Sequence, residues 1–137
     1  MEAAIPGLDR LETTLGYRFD RQGPIVAALT HRSAAHESGY EEHYERLEFL
    51  GDAVLELVTS EWLFRDFPTA PEGDLARIKS HLVSAPVLAD LARELGLGDC
   101  LRLSPSEERS GGRDKESILA DGLEAVSYTH LTLPTMQ

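Results

Sequence analysis

The sequence is poor in cysteine, in basic residues and in long apolar runs. It has one cysteine, Cys100, and 13 Lys and Arg residues against 24 Asp and Glu, so 137 residues carry a formal net charge of -11. A lone cysteine excludes an internal disulfide and fits a reducing compartment, which predicts a cytoplasmic location. The acidic balance excludes a simple basic nucleic-acid-binding module. It leaves open a protein whose carboxylates bind a divalent metal ion, because the ion inverts the local field.

Neither a membrane span nor a secretion signal is visible. The longest apolar runs are short, as at 25–29, and the first residues lack a basic segment followed by an apolar one. We therefore expect no membrane association. The hydrophobic content of 42% is enough for a real core. No histidine lies near Cys100 in the sequence, so we interpret this cysteine as a structural helix-end residue and not as a nucleophile.

Apolar residues recur at helical spacing through most of the chain, and no stretch of useful length alternates as a strand does. Leu8, Leu11 and Leu15 predict a short amphipathic helix that Gly16 ends. A long helix is predicted over 41–64. Further helices are predicted over 25–29, after Pro71, after Ser84 and from near Asp114, with connections at 33–40 and 104–113. The predicted fold class is all-α.

The last twelve residues differ from the rest. Residues 126–137 contain none of the charged side chains, and the helical pattern stops there. A β-prone terminal strand is one interpretation. We prefer another, because residues 126–135 are the literal translation of GTC TCT TAT ACA CAT CTG ACG CTG CCG ACG, which resembles the adapter of transposon-based sequencing libraries. We therefore interpret 1–125 as the natural domain, incomplete at its C-terminal end, and 126–137 as non-native.

Two acidic patterns stand out on predicted helices. Glu45, Glu48 and Asp52 are spaced i, i+3 and i+7, which places them within about 60° of one helix face. Their repulsion is unfavourable unless a divalent cation binds, and hard oxygen ligands select Mg²⁺ or Mn²⁺. Asp121 and Glu124 form a second i, i+3 pair. The two faces could meet and close one metal site, although acidic pairs at this spacing are also common on solvated faces.

The segment 45–55, ERLEFLGDAVL, resembles the signature of the ribonuclease III family almost letter for letter. Three further blocks are similar to that family and occur in its order, so the resemblance covers roughly residues 8–125. These blocks are LTHRS at 29–33, EGDL at 72–75 with Leu82 and Val83, and GGR at 111–113 followed by SILAD and LEA.

The resemblance implies an all-α endonuclease domain that acts as a homodimer on double-stranded RNA. Carried over by position, Glu48, Asp121 and Glu124 are implied to be Mg²⁺ ligands, with Mn²⁺ as a substitute, and Asp52 completes the catalytic set. The implied reaction is metal-assisted hydrolysis that leaves 5′-phosphate and 3′-hydroxyl ends. The implied substrates are ribosomal, messenger and other structured RNA precursors.

Three other positions receive roles from the resemblance. Glu45 and Glu72 match outer acidic positions that assist at the subunit junction. Phe49 matches an aromatic knob that inserts into the partner subunit, and the alternative is an ordinary core residue.

The sequence also departs from the family pattern. Tyr44 stands where the family often has Asn, and Gly122 stands where Ala is usual, so we expect the helix around Gly122 to be loosened. We expect no double-stranded-RNA-binding domain within these 137 residues, although bacterial members usually append one.

Two other function classes are alternatives to the nuclease. A non-catalytic RNA-binding or ribosome-associated protein of the same fold is the alternative function. The retained carboxylates argue against it, because binding alone does not need them. A helical di-iron protein is disfavoured, because such sites use Glu-x-x-His pairs and the sequence has none.

Overall fold

The computed structural model describes residues 5–38 and 43–130, and this part of the chain is helical with no strand. The α-helices in chain order are α1 (Leu8–Leu15), α2 (Ile25–Ala28), α3 (Arg32–Ser38), α4 (Glu45–Asp66), α5 (Glu72–Leu82), α6 (Ala85–Leu95), α7 (Pro105–Arg109) and α8 (Glu116–His130). Two 3₁₀ turns span Leu97–Cys100 and Gly112–Asp114. The predicted all-α class is confirmed.

The ends of several helices follow their capping residues. Gly16 adopts a left-handed conformation with φ of 66°, and its N–H bonds the carbonyl of Glu12, so α1 ends where the glycine predicts. Gly96 ends α6 in the same way with φ of 73°. Ser84 precedes α6 and Pro86 lies in its first turn, which confirms the helix predicted after Ser84.

Two segments predicted as connections are partly helical. Residues 32–38 form α3, and 105–109 form α7 inside the segment predicted as a loop. At α7 the Ser104 side chain accepts a hydrogen bond from the N–H of Glu107 at 3.0 Å, and Pro105 occupies the first helical position. A cap of this kind stabilises a helix too short to show an apolar period.

The core lies between α8 and the helices α1, α2 and α6. Its largest fully buried side chains include Leu11, Ile25, Leu97 and Leu119. Because eight of the 15 residues of α8 are buried, only one of its faces is left for polar groups. That face is turned to α4, against which α8 packs most extensively.

The predicted end of the last helix is wrong. α8 continues through the predicted break to His130, and Val126 and Ser127 are buried. The Ser127 hydroxyl donates to the carbonyl of Leu123 at 2.7 Å, which satisfies this polar side chain inside the helix. Residues 131–137 lie outside the described part of the chain, and the adapter interpretation stays a prediction.

α4 is about six turns long and only partly covered by other helices. It runs over 45–66, and residues 41 and 42 of its predicted start lie outside the described residues. Val54 and Leu63 are buried, whereas Phe49 and Phe64 are largely exposed. No helix of the described ranges is long and apolar enough to cross a membrane.

Candidate metal centre

The backbones of α4 and α8 touch at Gly51. A Cβ built on Gly51 would lie 1.7 Å from the carbonyl oxygen of Glu124, closer than any side chain tolerates. Only glycine allows this approach. Gly51 lies between Glu48 and Asp52 on α4, so the contact brings both acidic helix faces to the same place.

The four carboxylates that the sequence assigns to the catalytic set therefore meet across this contact. Glu48 and Asp121 share a side-chain hydrogen bond, and so do Asp52 and Glu124. A hydrogen bond between two carboxyl groups needs a proton on one of them, and the shifts identify Glu48 and Glu124 as the proton donors. The predicted meeting of the two acidic faces is confirmed by this geometry.

The electrostatics of the cluster raise the pKa of three of its members. Burial, then the charge and hydrogen bond of Asp121, raise the pKa of Glu48 to about 7. Burial, then the charges of Asp52, Glu48 and Asp121, raise the pKa of Glu124 to about 8. Burial also raises the pKa of Asp121, although its bond from Glu48 opposes the shift. Like charges drawn together in a half-buried place keep protons that an isolated carboxyl group would lose.

The donor set fits a hard divalent cation. Within the described residues, no group of three Asp, Glu, His or Cys side chains is already arranged as a metal site. Glu48 and Glu124 instead keep their protons more readily than isolated carboxyl groups do. A cation that binds their oxygens would take the place of these protons and relieve the repulsion that raises the pKa values.

The two outer acidic residues differ in position. Glu45 lies one turn before Glu48, contributes to its raised pKa, and forms an exposed ion pair of 3.6 Å with Arg32. Glu72 is the exposed first residue of α5. Among the described residues, Glu45 is one of the main charges that raise the pKa of Glu48, whereas Glu72 is not among the main charges acting on Glu48 or Glu124.

Phe49 is 81% exposed although it follows Glu48 directly. The side chain points away from the acidic face, as the helical spacing predicts. This exposure excludes the alternative of an ordinary core residue. An exposed Phe at such a position is available to a second protein surface.

A polar cleft of about 390 Å³ opens beside Glu48 and Asp121. His31 and Tyr44 form one wall, and their rings pack edge to face with centroids 5.5 Å apart. The Ser33 N–H donates to Nδ1 of His31 at 3.0 Å, which fixes the ring. Sequence reasoning missed Tyr44 as a cleft residue, and its place directly before the signature segment is the signal that indicates it.

The cleft is also lined by Glu107 and Lys115, which sequence reasoning missed. Lys115 Nζ lies 2.7 Å from a carboxylate oxygen of Glu107. Their spacing of eight residues crosses the Gly111–Gly112 turn, so no helical or strand period could have indicated the pair.

The structure confirms that Cys100 is a structural residue at the end of a helical turn. It is fully buried at the end of a 3₁₀ turn, and burial raises the pKa of its thiol to about 11. A thiol that stays protonated at neutral pH is a poor nucleophile.

Known proteins resemble this chain in both sequence and structure. The family model described as Ribonuclease-III-like matches residues 25–127. A Ribonuclease 3 from Nitratidesulfovibrio vulgaris is 54% identical over 120 residues, covering 87% of this chain and 47% of that protein. A Ribonuclease 3 from Shewanella halifaxensis is 51% identical over 122 residues, covering 89% of this chain and 52% of that protein.

The fold agrees with these sequence matches. The nuclease domain of ribonuclease III from Campylobacter jejuni superimposes with a TM-score of 0.79 at 44% identity, covering 87% of this chain and 80% of that domain. That structure was described for flexibility in the region involved in dimer formation. The chain spans about half the length of the curated relatives it matches. With a family model over most of its length and relatives above 50% identity, the chain belongs to the ribonuclease III family.

Proposed function

We propose that the chain is the catalytic domain of a metal-dependent endoribonuclease that cleaves double-stranded RNA to 5′-phosphate and 3′-hydroxyl ends. The observation that supports this best is the meeting of Glu48, Asp52, Asp121 and Glu124 across the α4–α8 contact. A protein that only binds RNA gains nothing from four mutually repelling carboxylates. This disfavours the alternative of a non-catalytic RNA-binding or ribosome-associated protein.

In this proposal Glu48, Asp121 and Glu124 would bind Mg²⁺, for which Mn²⁺ could substitute, and Asp52 completes the set. A bound divalent ion lowers the pKa of a water molecule and offsets charge on the scissile phosphate and leaving oxygen. The chain's own contribution is to hold the oxygen ligands on two rigid helices. Glu48 and Glu124, whose pKa values are raised to about 7 and about 8, would lose their protons to such an ion.

The substrate class follows from the family and from the form of the site. A-form RNA is recognised mostly through its shape and 2′-hydroxyls. A chain with few groups that read base sequence therefore suits this substrate. We propose ribosomal, messenger and other structured RNA precursors in the cytoplasm as the substrates.

A homodimer completes the proposal. Phe49 is exposed on the helix that carries Glu48 and Asp52, so a partner that covers Phe49 brings a second site into the same assembly. Two sites, one for each strand, are what a double-strand cut requires. Glu45 and Glu72 are proposed to assist where the two subunits meet.

The proposed catalytic role is tested with Glu124→Gln. We expect the wild-type chain to cleave a perfect RNA duplex in Mg²⁺, and the variant to lose at least about a hundredfold in rate while still binding the duplex. Glutamine keeps the shape of the side chain but not its charge. Gel analysis of end-labelled RNA measures cleavage, and fluorescence anisotropy measures binding.

The matched control is Glu116→Gln, which changes an exposed carboxylate on the same helix outside the cluster. It should cleave like the wild type. Cleavage by Glu124→Gln at the wild-type rate would contradict the assigned role. Binding of the duplex by the wild type with no cleavage in Mg²⁺ or Mn²⁺ would favour the non-catalytic alternative.

A further inference from the structure

The cleft beside Glu48 and Asp121 contains both signs of charge. Its cationic side chains are Arg32 and Lys115, and each is engaged by a carboxylate of the same cleft. Lys115 contacts Glu107 at 2.7 Å, and Arg32 contacts Glu45 at 3.6 Å. Cations beside an acidic cluster are notable in a chain with a net charge of -11.

Glu107 is held firmly in this arrangement. Its backbone N–H donates to the Ser104 hydroxyl at 3.0 Å, and its carboxylate accepts from the Ser110 hydroxyl at 2.8 Å. Its side chain lies over Gly112, where a Cβ would come within 2.5 Å of Glu107 Cγ. The hydrogen bonds of Lys115 and Ser110 lower the pKa of Glu107, so the carboxylate is ionised at neutral pH.

Lys115 is less constrained than its partner. Its side chain is 45% exposed, whereas that of Glu107 is 21% exposed. An ion pair with this much solvent access is weak, so the ammonium can exchange one anionic partner for another with little loss. Lys115 also lies just before α8, on the same stretch of chain that carries Asp121 into the cleft.

An RNA strand that reaches Glu48 and Asp121 brings phosphates into this cleft, where the carboxylates repel them. A cation that replaces condensed counterions on the phosphate backbone offsets this repulsion. Arg32 is paired with Glu45 on the acidic face of α4, whereas Lys115 is paired with Glu107 outside the carboxylate cluster, so we take Lys115 as the cation available to a phosphate.

We propose that Lys115 binds a phosphate of the RNA strand next to the carboxylate cluster, and that Glu107 occupies Lys115 until the phosphate displaces it. This inference rests on the proposed function, because it assumes that RNA is the substrate. It assigns two residues to substrate binding that the sequence pattern did not single out. The ligand is a non-bridging oxygen of a phosphodiester.

The test measures how binding to a perfect RNA duplex depends on salt, in EDTA so that no cleavage occurs. For Lys115→Gln we expect about fivefold weaker binding and a slope of log affinity against log salt that is smaller by about 1. The matched control is Lys79→Gln, since Lys79 on α5 does not line the cleft. Its affinity and slope should equal those of the wild type.

The variant Glu107→Gln separates a phosphate-binding role from a structural one. If Glu107 competes with RNA for Lys115, its replacement should tighten binding by about threefold, opposite in sign to Lys115→Gln. If the ion pair only stabilises the fold, both variants should lower the melting temperature and weaken binding together, which would overturn the proposal. Glutamine keeps the side-chain volume over Gly112.

The remaining outcomes are also decisive. Wild-type affinity and slope in Lys115→Gln, with cleavage by the wild type intact, would overturn this inference and leave the proposed function standing. A wild-type chain that neither binds nor cleaves the duplex would overturn the proposed function and this inference with it. Unchanged binding by Glu107→Gln beside a weakened Lys115→Gln would overturn the competing role of Glu107 alone.

Discussion

At Glu124, burial and the charges of three neighbouring carboxylates together raise the pKa of the side chain to about 8. Burial and neighbouring carboxylates likewise raise the pKa of Glu48 to about 7. Such shifts are typical of sites where charge has been concentrated for a function. Without a bound cation, the repulsion between these carboxylates destabilises the folded chain at neutral pH.

This repulsion predicts how stability depends on pH. A carboxyl group whose pKa is higher in the folded state than in the unfolded chain binds its proton more tightly when folded. Its contribution is therefore fully present below the unfolded pKa and is lost as pH rises through the folded pKa. We expect the free energy of unfolding of the metal-free chain to fall between about pH 4.5 and about pH 8, the range that Glu48 and Glu124 span.

Chemical denaturation in EDTA at about pH 5 and about pH 8.5 measures this dependence. Glu124→Gln should flatten it, whereas Glu116→Gln should not, and Mg²⁺ should restore stability at the higher pH. The lowered pKa values of His31 and His130 act in the opposite sense only below about pH 6.5, and those of Glu12 and Glu107 only below about pH 4.5. A stability of the metal-free wild type that rises steadily to about pH 8 would contradict the raised pKa values.

Gly122 lies in the interior of α8, where a glycine is expected to weaken a helix. The sequence predicts that this glycine loosens its helix, yet α8 runs through it without a break. A Cβ at Gly122 would lie 3.3 Å from Cδ2 of Leu101, so the position is already close-packed. The glycine is accommodated by the approach of Leu101 and Leu97, and the predicted loosening is not observed.

At the scale of elements, the crossing of α4 and α8 decides whether a site exists. Each helix carries its carboxylates at i, i+3 or i+7 spacing, which the sequence predicts from the helical period alone. Which faces meet, and how closely, depends on Gly51 and on the core that buries the other side of α8. A local pattern contains no information about that approach.

Gly51→Ala tests this dependence. The added Cβ would meet the Glu124 carbonyl at 1.7 Å, and backbone cannot yield as a flexible side chain can. We expect the variant to lose about 3 kcal/mol or more of stability and to lose cleavage activity with it. Denaturant unfolding and the cleavage assay measure the two effects.

The control for this change is Gly73→Ala on α5. Gly73 has no heavy atom within 4 Å of an added Cβ and does not adopt a positive φ. Alanine there should leave stability unchanged or raise it by about 0.5–1 kcal/mol. Equal behaviour of the two alanine variants would show that the close contact at Gly51 does not limit the fold.

At the scale of the whole molecule, α4 leaves apolar side chains uncovered. Phe49 and Phe64 are 81% and 72% exposed, and Trp62 packs edge to face on Phe67 at the exposed end of the helix. Apolar side chains of this size on one helix are typical of a surface that another protein covers. The apolar side chains of α4 therefore serve both the core, as Val54 and Leu63 do, and an uncovered surface.

Phe49→Ala tests the proposed dimer. Because Phe49 is exposed in one chain, its truncation should change the stability of the monomer by less than about 0.5 kcal/mol. If Phe49 inserts into a partner, the same change should shift the assembly toward monomer in analytical ultracentrifugation. Leu91→Ala, an exposed apolar residue on α6, is the control and should leave the assembly unchanged. A dimer unaffected by Phe49→Ala would contradict the proposed insertion of Phe49 into the partner subunit.

The sequence by itself determined the all-α class, the ends of α1 and α6 at glycines, and the residues of the acidic cluster. These follow from helical period, capping chemistry and motif, which are local. Only the tertiary structure decided that α8 continues to His130, that Glu48 and Glu124 keep protons, and that Lys115 faces Glu107 in the cleft. Each of these depends on burial and on contacts between residues distant in sequence, because desolvation and repulsion arise only when the chain brings charges together.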